Sequence, residues 1–215
     1  MLQNLSQYTT YLALLSAIPG VFFYNKLPNN KAKSLLYFIW LAFIIDYIGT
    51  NINDWTGIVN FPIYNFYILI SFTYYIVLLK LLLIKIRNQR IASVSLIIYV
   101  LFYGFNFLFV QRNLASPFTY VFVVGVLIIL LLSFLYLFEI LNSKMILNFK
   151  RSIYFWFVIG ILIFHVSFLP FMFTSMFFLL ENNDAVFNLV LFVLNLLMHS
   201  CFIIGFIWSE KKYNY

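Results

Sequence analysis

Residues 117–141 read PFTYVFVVGVLIILLLSFLYLFEIL and set the fold class of this chain. The segment holds a single charged side chain, that of Glu139, close to its end. A helix of roughly 20 apolar residues matches the hydrocarbon thickness of a bilayer, whereas a surface helix of a soluble domain needs a polar face. The segment therefore predicts a transmembrane helix that begins near Pro117 and ends near Leu141.

Six further segments have the same apolar character, and the loops between them are too short to form an extramembrane domain. With Pro117–Leu141 they predict an all-α fold, an integral membrane bundle of seven transmembrane helices in a single domain, 1–215. We expect Pro19-Gly20 to break the first helix and Pro170 to kink the sixth, because proline removes a backbone donor. The six segments are Thr9–Tyr24, Ser34–Thr50, Pro62–Leu83, Ile91–Val110, Ser152–Leu180 and Asp184–Trp208.

The composition excludes an ordinary soluble domain. Of the 215 residues, 65% are hydrophobic and 9% are charged, whereas a soluble domain carries about 25% charged residues. The single cysteine, Cys201, excludes an intrachain disulfide. The net charge of +7 needs no nucleic-acid partner, because the distribution of the basic residues explains it.

Twelve of the thirteen Lys and Arg residues lie in the odd-numbered loops, at their borders or in the C-terminal tail, and only Arg112 lies elsewhere. Lys and Arg accumulate in cytoplasmic loops next to membrane spans. This alternation predicts an N-terminus outside and a C-terminus in the cytoplasm. The predicted cytoplasmic basic face consists of Lys26, Lys31, Lys33, Lys85, Arg87, Arg90, Lys144, Lys150 and Arg151.

Polar side chains inside the spans are the first candidates for function, since a charge at mid-membrane costs at least about 2.5–3.5 kcal/mol on insertion scales. Asp46 lies in the outer half of the second predicted helix. It is predicted to serve as a counter-charge, a proton carrier or a ligand contact. The alternative is that Asp46 is neutral or is hydrogen-bonded to a neighbouring helix.

The seventh predicted helix carries Asp184, Asn188, Asn195 and His199 on one face. Such a stripe is typical of a pocket or a water path, and equally of hydrogen bonds between helices. His165 in the sixth helix either titrates or packs. Together these positions predict one polar cavity in the outer half of the bundle, between helices 2, 3, 6 and 7. Its candidate residues are Asp46, Asn65, Tyr67, His165, Asn188, Asn195 and His199.

Several chemistries lack the residues that they need. Two histidines and one cysteine cannot build the usual zinc sites, and no GxSxG motif or phosphate-binding glycine loop occurs. The seventh helix has no lysine for a retinal Schiff base. We therefore expect no catalytic residue, no metal and no cofactor, and Glu139 is expected to pair with a nearby lysine.

Two regions of the chain are the basis of a resemblance. They are NFYILISFTYY (65–75) and the closing run, FWFVIGILIFHVSFLPF (155–171) with VLNLLMHSCFIIGFIWSEKKYN (193–214). These stretches resemble a group of small, uncharacterised seven-helix inner-membrane proteins of AT-rich bacteria. The resemblance implies a multi-pass protein of the bacterial inner (plasma) membrane, such as a sensor-like partner of a kinase or a membrane component of a defence locus.

Two functions follow as expectations. The first is a non-enzymatic, sensor-like or accessory subunit, whose basic loops face a cytoplasmic protein partner or anionic lipid. The second is a small-solute or ion transporter or channel, including a homo-oligomeric pore that acts in bacterial defence. Asp46, His165 and the polar stripe of helix 7 would line its path.

Overall fold

The computed structural model describes residues 5–177 and 184–214, and every regular element in those ranges is helical. A π-helical segment, Asn106–Val110, follows the fourth helix directly, and short 3-10 turns occur in the loops and the tail. The helices are α1 Leu5–Phe22, α2 Asn30–Thr56, α3 Phe61–Leu82, α4 Ile86–Phe105, α5 Thr119–Leu141, α6 Ile153–Phe177 and α7 Asp184–Trp208.

The helices α2 to α7 are long and apolar enough to cross a membrane, six in all among the described residues. The apolar part of α1, Tyr8–Phe22, is shorter. The prediction of an all-α, multi-pass membrane protein is therefore confirmed. The end of the sixth predicted helix at Leu180 lies outside the described residues.

The observed ends of a helix differ from the predicted ones where polar side chains form hydrogen bonds with backbone carbonyls. The helix α2 begins four residues earlier and ends six residues later than predicted. Its polar end continues because Asn51 Nδ2 donates to the Tyr47 carbonyl and Thr56 Oγ1 donates to the Ile52 carbonyl, both at 2.7 Å.

The predicted break at Pro19-Gly20 is wrong. Pro19 lies inside α1, which continues to Phe22, and the Phe23 N–H still donates to the Pro19 carbonyl at 2.9 Å. Gly20 lies where α1 packs closely against Leu36 of α2 and Phe206 of α7. A Cβ at Gly20 would lie 2.5 Å from Leu36 Cδ1 and 3.0 Å from the ring of Phe206, so a larger residue would require these side chains to shift. In α6, Pro170 likewise lies inside a continuous helix, and the kink stays a prediction.

The described chain forms two compact units, and their boundary falls inside α2. Unit 1 comprises residues 1–46 and 147–215. In it α1 and α6 both pack against α7. Ser16 meets His199, and Gly20 lies against Phe206, so α1 and α7 run parallel. Gly160 lies against Cys201, whereas Gly205 lies against Trp156, so α6 runs antiparallel to α7.

Unit 2 comprises residues 47–146 and contains α3, α4 and α5. The Tyr99 hydroxyl donates to the Ile68 carbonyl at 3.1 Å, and the Tyr103 hydroxyl donates to the Asn65 carbonyl at 3.4 Å, so α3 and α4 are antiparallel. A Cβ at Gly125 of α5 would lie 2.6 Å from the ring of Phe72. This glycine therefore lets α5 pack closely on α3.

Candidate functional site

Asn65, a residue of the predicted cavity, holds a loop in unit 2. Its side chain is 1% exposed. Its Nδ2 donates to the carbonyls of Leu114 (3.2 Å) and Ser116 (2.9 Å), and its Oδ1 accepts the Phe118 N–H at 2.9 Å. The amide thus uses both of its donors to fix the α4–α5 connection. This bond to Phe118 also explains why α5 begins at Thr119 rather than at Pro117.

The two histidines are buried in unit 1, and each is hydrogen-bonded to a residue of a helix. His199 Nδ1 lies 2.8 Å from the Ser16 hydroxyl of α1, which also donates to the Ala13 carbonyl at 2.9 Å. His165 Nδ1 lies 2.8 Å from the Ile161 carbonyl of its own helix. Because a carbonyl only accepts, His165 carries its proton on Nδ1.

The other candidates of the predicted cavity lie on three helices, α2, α3 and α7. Asn195 Nδ2 donates to the Leu191 carbonyl at 2.8 Å within α7. Asp46, Tyr67 and Asn188 are half-buried. His199 is bonded to α1 within unit 1, whereas Asn65 and Tyr67 belong to unit 2. The polar cavity that would join all seven residues stays a prediction.

Glu139 caps a helix, and its predicted pairing with a lysine stays a prediction, because the side chain of Lys144 lies outside the described part. The residue is 4% exposed, and its carboxylate accepts hydrogen bonds from the backbone N–H groups of Ile84 (2.5 Å) and Lys85 (3.1 Å) and from the Asn88 side-chain amide (2.6 Å). These groups lie at the start of α4, where the backbone donors lack partners in the helix and attract an anion. The capping carboxylate therefore comes from α5, which sequence reasoning missed.

One end of unit 1 gathers three segments that carry basic residues: the α1–α2 loop, the segment before α6 and the tail after α7. The Tyr154 hydroxyl donates to Asn29 Oδ1 at 2.5 Å, and this joins α6 to the α1–α2 loop. Arg151 and Glu210 form an ion pair of 2.7 Å and a backbone bond of 3.0 Å, which join the tail to the segment before α6. We call this end of unit 1 the basic end.

The tail also completes the start of α6. Asn214 Oδ1 accepts the Ile153 N–H at 2.8 Å and the Ser152 hydroxyl at 3.2 Å, while its Nδ2 donates to the Glu210 carbonyl at 2.7 Å. Asn214 is thus an N-terminal cap supplied from another part of the chain. No pattern of apolar residues could have indicated this bond, since the residues are 61 positions apart.

The predicted basic face is largely exposed. Lys31 and Lys33 are half-buried, and the side chain of Lys144 lies outside the described part. Lys33 lies over the ring of Tyr24, with its Nζ 4.9 Å from the ring centroid. Beyond the predicted set, contacts with Tyr213 and Glu210 raise the pKa of Lys212. The exposed members of the predicted face are Lys26, Lys85, Arg87, Arg90, Lys150 and Arg151.

A shallow cleft of about 360 Å³ opens at the basic end. We call it the tail cleft. Two apolar side chains that precede its lining residues in the chain are strongly exposed, namely Phe22 at 81% and Trp208 at 61%. Sequence reasoning missed the cleft because its two sides are far apart in the chain. It is lined by Asn25, Lys26, Ser209, Glu210 and Lys211.

Within residues 5–177 and 184–214, no group of three or more His, Cys, Asp or Glu side chains could hold a metal ion. No protein-family model, no curated protein and no solved structure matches this chain. The helices themselves therefore carry the conclusion: this is a helical, multi-pass membrane protein with a basic end built from three chain segments.

Proposed function

We propose that the chain is a non-enzymatic, sensor-like or accessory subunit of a bacterial inner membrane. It crosses the membrane seven times, with its N-terminus outside and its C-terminus in the cytoplasm. The observation that carries the proposal is the basic end of unit 1, where the α1–α2 loop, the segment before α6 and the tail meet through Asn29, Arg151 and Asn214.

The helix directions support this orientation. In unit 1, α1 is parallel to α7 and antiparallel to α6. A chain whose successive helices cross the membrane in opposite directions requires this arrangement. In unit 2, α4 is antiparallel to α3, and Glu139 brings the end of α5 to the start of α4. Within each unit, segments predicted to be cytoplasmic thus lie at the same end.

The bonding of the polar side chains favours an accessory protein over a transporter. Asn65 is fully engaged in holding a loop, and His199 meets a serine of α1. Polar groups committed to such bonds stabilise the packing of helices. They are less suited to line a path, where a substrate must replace each bond in turn.

The exposed cations supply a surface for a partner. Lys85, Arg87 and Arg90 lie close together at the start of α4, are exposed, and form no ion pair within the described part of the chain. A protein with a complementary acidic surface would be attracted there. We propose that such a soluble partner binds this cluster.

A pull-down from detergent and from nanodiscs tests the proposal. We expect a partner to be retained by the wild type and lost with Arg87→Gln/Arg90→Gln. Arg112→Gln is the matched control, because Arg112 is also exposed but is predicted to face outside. Absence of any partner, or equal loss with the control, would contradict the proposal.

The proposed orientation has its own test. Cys201 is replaced by serine, and single cysteines are placed at Arg90 and at Asn113, both of which are exposed. We expect a membrane-impermeant reagent to label intact cells at 113 but not at 90. Labelling of both from outside would overturn the orientation.

Flux in liposomes separates this proposal from the transporter or channel. The proposal predicts no flux of ions or small solutes above that of empty liposomes. Flux that is lost in Asp46→Asn would instead establish a transport path through α2.

A further inference from the structure

We infer that the tail cleft binds the phosphate headgroup of an anionic phospholipid. The inference deepens the proposed function, because it rests on the placement of the basic end at the membrane surface. It assigns a ligand to Asn25, Lys26, Ser209 and Lys211, of which only Lys26 belonged to the predicted basic face.

The cleft presents hydrogen-bond donors that the protein itself does not use. The side chains of Asn25, Ser209 and Lys211 have no hydrogen-bond partner in the described ranges. The ammonium of Lys26 lies over the ring of Phe23, with its Nζ 4.3 Å from the centroid, and forms no ion pair there. Two ammonium groups and an amide are therefore available to one ligand, and the largely buried Ser209 contributes a hydroxyl to the wall of the cleft.

The charge of the cleft favours an anion. Its acidic residue, Glu210, is already engaged by Arg151 at 2.7 Å and by Lys212 at 3.3 Å. The positive charges of Lys26 and Lys211 are left without a counter-charge. A phosphate fits both features, because it accepts several hydrogen bonds and carries a negative charge.

The surroundings of the cleft favour a lipid over soluble phosphate. Phe22 at the end of α1 and Trp208 at the end of α7 are among the most exposed apolar side chains. Trp concentrates at the level of the lipid headgroups, where it has an apolar body and a polar group to satisfy. A headgroup in the cleft would leave its acyl chains beside these side chains and the apolar helices.

Native mass spectrometry of the full chain tests the inference with phosphatidylglycerol and phosphatidylcholine as the added lipids. We expect preferential retention of phosphatidylglycerol by the wild type. Lys26→Gln/Lys211→Gln should weaken it about thirtyfold, as expected for losing two cations at a membrane surface. Lys85→Gln/Arg87→Gln removes the same charge from exposed positions outside the cleft, and this control should retain the lipid.

A second variant distinguishes lipid binding at a defined site from general electrostatic attraction to the basic end. Asn25→Ala/Ser209→Ala keeps the net charge, and we expect it to reduce the preference for phosphatidylglycerol. If this variant binds like the wild type, or if the control pair loses as much lipid as the lysine pair, the inference is wrong.

Inorganic phosphate provides the last arm. We expect an excess of it to leave phosphatidylglycerol bound. Displacement of the lipid by inorganic phosphate would show that the cleft binds a soluble anion, and the inference of a lipid ligand would be wrong. Because both ends of a protein in a detergent micelle face the same solution, this result does not depend on orientation, which the cysteine labelling tests separately.

Discussion

The carboxylate of Glu139 on α5 accepts the backbone N–H of Lys85 at 3.1 Å, where α4 begins. The side chain of Lys85 itself is exposed. The backbone of Lys85 therefore stabilises the fold, while its charged side chain remains at the surface. This arrangement holds the cationic cluster of Lys85, Arg87 and Arg90 on a fixed helix start rather than on a loose loop.

Removal of the Glu139 carboxylate should destabilise unit 2. Glu139→Ala leaves the N–H groups of Ile84 and Lys85 and the buried amide of Asn88 without this partner, and we expect a loss of about 2–3 kcal/mol. Thermal unfolding in detergent measures it. Asp54→Ala is the control, because Asp54 is exposed. A variant at 139 as stable as this control would refute the capping role.

The contact between Ser16 and His199 should appear as a coupling between α1 and α7. Hydrogen bonds between membrane helices are worth about 0.6 kcal/mol on average and up to about 1.7. We expect a coupling in that range from a double-mutant cycle of Ser16→Ala and His199→Phe. Strictly additive effects on unfolding would show that the two side chains do not interact.

The glycine at 160 should be required for the packing of α6 on α7. A Cβ there would lie 2.9 Å from the Met198 carbonyl oxygen, which is backbone and cannot rotate away. We expect Gly160→Ala to cost about 1–3 kcal/mol in unfolding measurements. Gly104→Ala is the matched control.

At Gly104 the space around a new Cβ is open, with nothing within 4 Å. Alanine there should be neutral or stabilising by up to about 1 kcal/mol, because it favours the helix. Equal losses from the two substitutions would argue against close packing at 160.

Loss of the Asn214 cap should loosen the start of α6. We expect Asn214→Ala to cost about 1 kcal/mol, a typical loss for an N-terminal cap. Hydrogen exchange should then be faster at the Ile153 amide, which the cap engages, than in the wild type. The amide of Lys85, capped by Glu139, is the internal reference and should not change. Unchanged exchange at Ile153 would contradict the assignment.

The membrane helices could be predicted from the sequence because the cost of burying charge in lipid acts on every residue of a span. The side chains that face lipid could not be predicted in the same way. Leu131 is 50% exposed and its neighbour Leu132 is fully buried. The two are the same residue type, so hydropathy carries no information about which one packs in the protein.

The candidate site was predicted less well, for the same physical reason. The cost of a polar group in a membrane singles out Asn65 and His199, but their partners are set by tertiary packing. Asn65 binds backbone carbonyls about fifty residues away, and backbone groups leave no trace in the sequence. Asn25 and Ser209 lie outside the spans, where polar side chains are ordinary, so nothing distinguished them.

The bond from Ile153 to Asn214 also constrains the order of assembly during synthesis. When the ribosome has made the first turn of α6, that turn lacks its cap until a further 61 residues have been translated. Since Asn214 follows α7 in the chain, α7 leaves the ribosome before the cap does. The insertion machinery must therefore receive α6 with an unfinished start, and the hairpin of α6 and α7 closes only afterwards, as a pair.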